Sequence, residues 1–173
     1  MQFARMGVAY AERVWGVTNP RVGLVSNGEE ADKGNMLIRD TFVVFTESDL
    51  NFVGNVEPKE ITRGVADVAV TDGFTGNIAL KTIEAVARMM ETLIRDEIKS
   101  NPLTILGGIL SKPAFRRVAK RIDPFEIGGA PLLGVNGVCM ITHGSSVART
   151  ITNAILRSKQ FVAASYVASR RSR

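Results

Sequence analysis

Three stretches of this chain share one order of residues. Each has a β-branched apolar run, then a turn of Gly, Asn, Asp, Ser or Thr, then the opening of a helical pattern. The first runs Val22-Gly23-Leu24-Val25-Ser26 into Asn27-Gly28 and on to Lys33-Gly34-Asn35. The second runs Val68-Ala69-Val70-Thr71 into Asp72-Gly73-Phe74-Thr75-Gly76-Asn77. The third runs Val138-Cys139-Met140-Ile141-Thr142 into His143-Gly144-Ser145-Ser146. Strands alternating with helices predict an α/β fold with a parallel or mostly parallel sheet covered on both faces. In such a fold, ligands sit outside the carboxyl ends of the strands, where helix starts offer unpaired N–H groups to anions. The three turns are therefore expected to converge on one phosphate-bearing site.

The rest of the chain fits between these stretches. Apolar spacing predicts a helix over 2–15, stopped by Gly16. A charged loop over 27–35 precedes a helix over 36–46. Asn51–Val56 reads as a short strand and turn, and Pro58 opens a brief segment to Gly64. A strand over 67–71 leads into a helix from about Gly76 to Ser100, with Ile78, Ile83, Val86, Met90, Leu93 and Ile94 on its apolar stripe. Asn101-Pro102 ends that helix. Residues 103–122 read as two short helical pieces broken by Gly107-Gly108 and Pro113. Residues 123–137 read as an irregular loop, 138–142 as a strand, and Ser145 to about Ala168 as a helix. The first helix has no strand before it, which points to a later part of a larger unit.

Composition narrows the partners. A formal charge of +5 and an isoelectric point near 9.7 favour anionic partners. Aromatics are 6% and do not interleave the basic cluster, so a nucleic-acid stacking platform is not expected. One cysteine excludes an internal disulfide, and its place in an apolar run predicts a packed, inert thiol. One histidine and one cysteine argue against a protein zinc site. The pattern G-x-G-x-x-G is absent, so a dinucleotide cofactor is not expected; no other cofactor is expected either. No signal-peptide h-region is visible, and no apolar run approaches the roughly 18 residues that span a bilayer. A cytoplasmic location is the expectation.

Four segments in order carry a resemblance: Asn27–Asn35, Asn51–Glu57, Asp67–Asn77 and His143–Ser146. They resemble PlsX-type phosphate acyltransferases, from about Gln2 to the tail. The resemblance implies a three-layer α/β/α fold like that of isopropylmalate dehydrogenase, with a protruding helical hairpin over about 78–122. It implies transfer of a fatty acyl group from acyl-[acyl carrier protein] to inorganic phosphate, for phospholipid synthesis. It also implies a homodimer and peripheral contact with an anionic membrane. Members of the family are considerably longer, so the whole of 1–173 is expected to be the C-terminal part of one.

Phosphate attacking a thioester needs no activated serine or cysteine. It needs cations and amide donors that hold a dianion beside a carbonyl and stabilise the developing oxyanion. Lys33 is either an exposed loop lysine or an ammonium for phosphate or the thioester oxygen; the Lys33-Gly34-Asn35 triplet resembles the family's and implies the latter. Asn77 either helps cap its helix with Thr75 or polarises the thioester carbonyl through its amide. The resemblance implies polarisation. Asp72 either orients Lys33 or Asn77, or makes an Asx turn with Gly73. His143 either donates to phosphate or the leaving thiolate, or is only hydrogen-bonded structure. The resemblance implies catalytic Lys33, Asn77 and His143. Around them it implies a binding shell of Gly34, Asn35, Asp72, Gly73, Thr75, Gly76, Gly144, Ser145 and Ser146, with no metal.

Residues 103–122 are the other informative region. Leu106, Ile109, Leu110 and Phe115 are apolar; Arg116, Arg117, Lys120 and Arg121 are basic; no acidic residue intervenes. Such a stretch can lie in an anionic lipid interface, form a partner helix in a dimer, or receive an acidic acyl carrier protein. Two alternatives to the main reading stand beside it. One is a phosphotransacetylase-like acyltransferase using acetyl coenzyme A. The other is a non-catalytic membrane- or carrier-docking module.

Overall fold

The computed structural model describes residues 1–122, with side chains to residue 119, then residues 128–144 and 146–163. The first predicted strand forms as Val22–Val25 (β1), with all four residues buried. Its burial follows from its place. Phe52–Val56 (β2) and Val68–Val70 (β3) pair with it in parallel from either side, in the order β2-β1-β3. A central parallel strand loses both faces and both edges to other elements, and so reads as an unbroken apolar run.

Two helices cover one face of this sheet. The first, α1 (Gln2–Trp15), ends at Gly16 as its spacing predicts. The second, α2 (Met36–Thr46), starts where the Asn35 side chain accepts a hydrogen bond from the Ile38 N–H at 3.0 Å. Ala4 of α1 and Phe45 of α2 bury with Val22, Leu24 and Val70 in one cluster. Phe42 and Phe45 stand edge-on to Phe52, with ring centroids 5.2 and 5.3 Å apart. A short helix, α3 (Pro58–Arg63), links β2 to β3. At the amino edge of the sheet, Arg21 Nε and Nη2 donate to the two Asp67 carboxylate oxygens at 3.0 Å. The Arg21 N–H adds a third bond to Asp67 at 2.8 Å. This pairing, chiefly its side-chain hydrogen bonds, lowers the Asp67 pKa from 3.8 to about 2.

Beyond β3 the structure departs from the sequence reading in several places. The long helix, α4 (Gly73–Ile98), begins three residues before Gly76, because Asp72 rather than Thr75 or Asn77 caps it. The expected break over 103–122 does not occur: α5 (Pro102–Ile122) is continuous, with Pro113 inside it. Proline in a helix removes one hydrogen bond and bends more readily than it ends the helix. Of the glycine pair, Gly108 has a packing use instead, since a Cβ there would collide with Cγ2 of Ile98 on α4. α4 ends at Ile98 with Lys99 as its C-cap, short of the expected end at Ser100 before Asn101-Pro102, and Asn101 instead opens α5 by accepting from the Thr104 N–H at 3.0 Å.

The third predicted strand also departs from that reading. It shrinks to Met140–Ile141 (β5) and pairs antiparallel with Ala130–Pro131 (β4), apart from the parallel sheet. Residues 132–139 turn the chain back, and Leu132 N–H donates to the Cys139 carbonyl at 2.8 Å. Part of the loop expected over 123–137 is therefore a ribbon strand; residues 123–127 lie outside the described residues. Cys139 is exposed, not packed, because a two-residue ribbon gives it no sheet to bury it. The last helix, α6 (Ala148–Ala163), starts after Val147 rather than at Ser145. It packs on α1, with the Phe161 and Tyr10 rings 5.0 Å apart. Among the described residues there are thus six helices and a three-stranded parallel sheet. No helix among them is long and apolar enough to cross a membrane.

Candidate active site

The order β2-β1-β3 brings two of the three predicted turns together. Because the strands are parallel, the turn after β1 and the turn after β3 leave the same carboxyl edge as neighbours. Two cavities flank the end of β1. One, of about 450 Å³, is lined by Asn27, Gly28, Glu29, Glu30 and Lys33 after β1 and by Glu57 and Lys59 after β2. The other, of about 210 Å³, lies between β1 and β3 and is mostly apolar, with Leu37, Ile38, Phe45 and Val70 beside Thr71 and Asp72. It occupies the point where the chain, having left β1 toward β2, crosses to the opposite side for β3. Ligands in open α/β sheets favour such switch points.

Lys33 enters the larger cavity from a tight loop. Its N–H donates to the Glu30 carbonyl at 3.1 Å. Its stem lies over Gly28, where a Cβ would stand 2.8 Å from the Lys33 Cγ. Gly34 follows with φ +90°, a conformation open to glycine, and a Cβ there would meet Ile38 Cγ2 at 2.7 Å. The two lysines of the cavity differ. Lys59 pairs closely with Glu57 and, at 3.5 Å, with Glu29; the Glu57 hydrogen bond above all raises its pKa. Among the described residues the Lys33 ammonium has no ion pair and stands exposed. Two of the three carboxylates are thus answered by Lys59, while Glu30 and Lys33 make no ion pair among the described residues.

The turn after β3 is organised differently. Asp72 Oδ1 accepts from the Phe74 and Thr75 N–H groups at 3.0 and 2.9 Å. Its pKa is lowered, first by the Thr75 side-chain hydrogen bond and then by these backbone bonds. A carboxylate therefore already sits at the positive end of α4. Of the readings open for Asp72, the cap with Gly73 as first helical residue is the one realised. Gly76 lets α4 approach Thr71, whose Cγ2 would be 2.7 Å from a Cβ there. Asn77 lies on the exposed second turn of α4 and lines neither cavity.

The third turn belongs to the ribbon. His143 is exposed, and its carbonyl accepts from both the N–H and the hydroxyl of Ser146. Ser146 therefore closes a turn before α6 rather than starting the helix. Gly144 is exposed between them, and Ser145 lies outside the described residues. His143 lines neither cavity. The side chains of Asn35 and Asp72 act as helix caps, while Lys33, of the expected catalytic residues, borders one of these two cavities and Asn77 and His143 border neither.

Two residues of this edge escaped the sequence reading. Lys59 follows a helix-opening proline and carries no motif of its own. Asn55 stood inside a quoted segment, and the signal was a polar residue after glycine in a strand. It is buried, and its Nδ2 donates to the Glu30 carbonyl at 2.8 Å. Its Oδ1 makes no hydrogen bond among the described residues.

The α5 residues form a separate surface. Leu106, Ile109, Leu110, Phe115, Arg116 and Arg117 are all exposed; the side chains of Lys120 and Arg121 lie outside the described residues.

Residues 1–169 match the family described as Fatty acid synthesis protein. The chain is 47% identical over 167 residues to a phosphate acyltransferase of Elusimicrobium minutum (strain Pei191), covering 96% of this chain and 49% of the relative. It is 48% identical over 169 residues to one of Heliobacterium modesticaldum, covering 98% and 50%. It is 51% identical over 155 residues to one of Geobacter sp. (strain M21), covering 90% and 44%. The chain spans about half the length of these curated relatives. With four motifs in order and nearly the whole chain matched, it belongs to the fatty acid synthesis protein family, that of the PlsX-type phosphate acyltransferases.

Proposed function

We propose that this chain carries the phosphate-handling, C-terminal part of a phosphate acyltransferase. The reaction moves a fatty acyl group from acyl-[acyl carrier protein] to inorganic phosphate, yielding acyl phosphate for phospholipid synthesis. The observation that carries this reading is the unpaired Lys33 ammonium beside an open cavity at the carboxyl edge of the sheet. A phosphate oxygen attacks the thioester carbonyl carbon. The C–O bond forms, the C–S bond breaks, and the carrier thiolate leaves and takes up a proton. Lys33 holds the dianion or the carbonyl oxygen. Asn77 supplies an amide donor to the carbonyl. His143, with Asn35, Gly144, Ser145 and Ser146, attends phosphate or the leaving thiolate. The apolar cavity between β1 and β3 suits part of the acyl chain.

In this reading the sheet is part of a three-layer α/β/α fold of the isopropylmalate dehydrogenase kind. The helices α4 and α5 form its protruding hairpin. Their exposed apolar side chains and the cations Arg116 and Arg117 support a homodimer contact along α4 and a docking face on anionic lipid or acyl carrier protein along α5. The protein then works at the cytoplasmic membrane surface without spanning it.

A phosphate-dependent thiol-release assay tests the reaction, with acyl-[acyl carrier protein] and acetyl coenzyme A compared as donors. Lys33→Ala is expected to cut acyl phosphate formation about 100-fold or more while the circular dichroism spectrum stays unchanged. Undiminished turnover in that variant, or release from acetyl coenzyme A alone, overturns the proposal.

A further inference from the structure

We propose that Asn55 is a positioning residue, which holds the Lys33 loop in register with the sheet through the Glu30 carbonyl. The part of this inference that concerns turnover rests on the acyl-transfer reading above. The argument begins in the pairing of β1 with β2. Val22 lies beside Phe52, but Gly23 lies beside Gly54, so Val53 is an extra residue in β2. Gly54 takes φ +95°, which the bulge requires and which L side chains rarely adopt. One extra residue reverses the faces of everything that follows it in the strand. Without it, Asn55 would lie beside Val25. With it, Asn55 lies beside Leu24, which packs in the cluster that includes Phe45 of α2.

That face is the one over which the loop 27–35 runs into α2. Asn55 is 5% exposed there, and its Nδ2 reaches the Glu30 carbonyl at 2.8 Å. The same carbonyl accepts from the Lys33 N–H at 3.1 Å. Two donors thus share one acceptor, and the backbone of Lys33 is tied to a buried side chain of the neighbouring strand through a single oxygen. A side chain locked by burial is a far stiffer anchor than a loop's own turns, and stiffness is what a cation aimed at a reacting dianion needs. The bulge, the glycine that permits it and the asparagine it turns inward form one device for aiming Lys33.

The test replaces Asn55 in the full chain. Asn55→Asp keeps size and acceptor but removes the donor. Asn55→Leu removes both and leaves no charge to bury. Amide hydrogen exchange by NMR is the first readout. The Lys33 amide is expected to exchange about 10-fold faster in either variant, while the Leu24 amide keeps its rate. The second readout is the phosphate dependence of thiol release. KM for phosphate is expected to rise about 10-fold with kcat falling less, since a loosened cation binds phosphate poorly, whereas a merely unstable protein loses kcat. An unchanged Lys33 rate in a folded variant, or equal acceleration at Leu24 and Lys33, overturns the tether. A freed loop with unaltered KM overturns the positioning role. If neither variant folds, the unsubstituted protein decides. Its Lys33 amide must exchange more slowly than that of Asp32, and equal rates overturn the tether. Absence of turnover in the unsubstituted protein overturns the acyl-transfer reading alone, and the exchange comparison still decides whether Asn55 holds the loop.

Discussion

Phe45 and Leu110 are both large apolar side chains on helices, yet one is 1% exposed and the other 75%. The contrast runs through the molecule. Around β1, the helices α1 and α2 bring their apolar faces onto the sheet and close a core with it. Along α4 no residue is buried, although the helix carries an apolar stripe. What secures α4 locally is its cap at Asp72 and pairs such as Glu91 with Arg95 and Glu84 with Arg88. Pairs of that kind contribute about 0.2–0.5 kcal/mol each. The sheet region closes a core among its own elements, and the α4–α5 region leaves its apolar side chains exposed among the described residues. The same amphipathic signal serves both, and only the packing differs.

Three experiments sharpen or break that contrast. Phe45→Ala should cost about 3–5 kcal/mol, as for a large aromatic removed from a packed site, read from urea unfolding. A cost near that of a surface change would mean the sheet has no core of its own. The Arg21–Asp67 pair should make the sheet region acid-sensitive. The Asp67 pKa is lowered from 3.8 to about 2 in the fold, so its stabilisation is complete above pH 3.8 and is lost as pH falls through about 2. Asp67→Asn should remove that component, and an acid-unfolding curve identical to that of the unsubstituted protein would show the pair to be silent. Leu110→Asp should change stability by no more than about 0.5 kcal/mol, because the side chain already faces water. Its effect should fall on co-sedimentation with anionic vesicles. Loss of folding in that variant would mean that α5 packs against the chain itself.

Much of the fold was legible in sequence, for identifiable reasons. The helix over 2–15, the strand at Val22–Val25 and the helix over 36–46 stand where periodicity and turn residues put them. Local signals suffice there because each element buries its apolar side within the same core. The misreadings share a cause too. Whether Pro113 breaks α5, whether residues 140–141 join the parallel sheet, and whether Cys139 is buried all depend on what lies alongside, which spacing does not encode. The candidate site divides in the same way. Lys33 with its flanking glycine was readable, and it does border a cavity. Asn55 was not, because its role depends on a bulge that exists only once β2 has paired with β1. Lys59 was hidden because its place opposite Lys33, and its second partner Glu29, come from a loop that only the paired strands bring alongside.

The middle strand of these three precedes both of its partners in the chain. As the chain leaves the ribosome, β1 emerges ahead of β2 and β3, and each of the two adds to an edge of β1. Among these three strands, neither has to be threaded between partners already joined. Until β3 arrives, however, one side of that seed strand stays unpaired. A nascent chain stalled between Val56 and Val68 would present it to any other extended segment nearby.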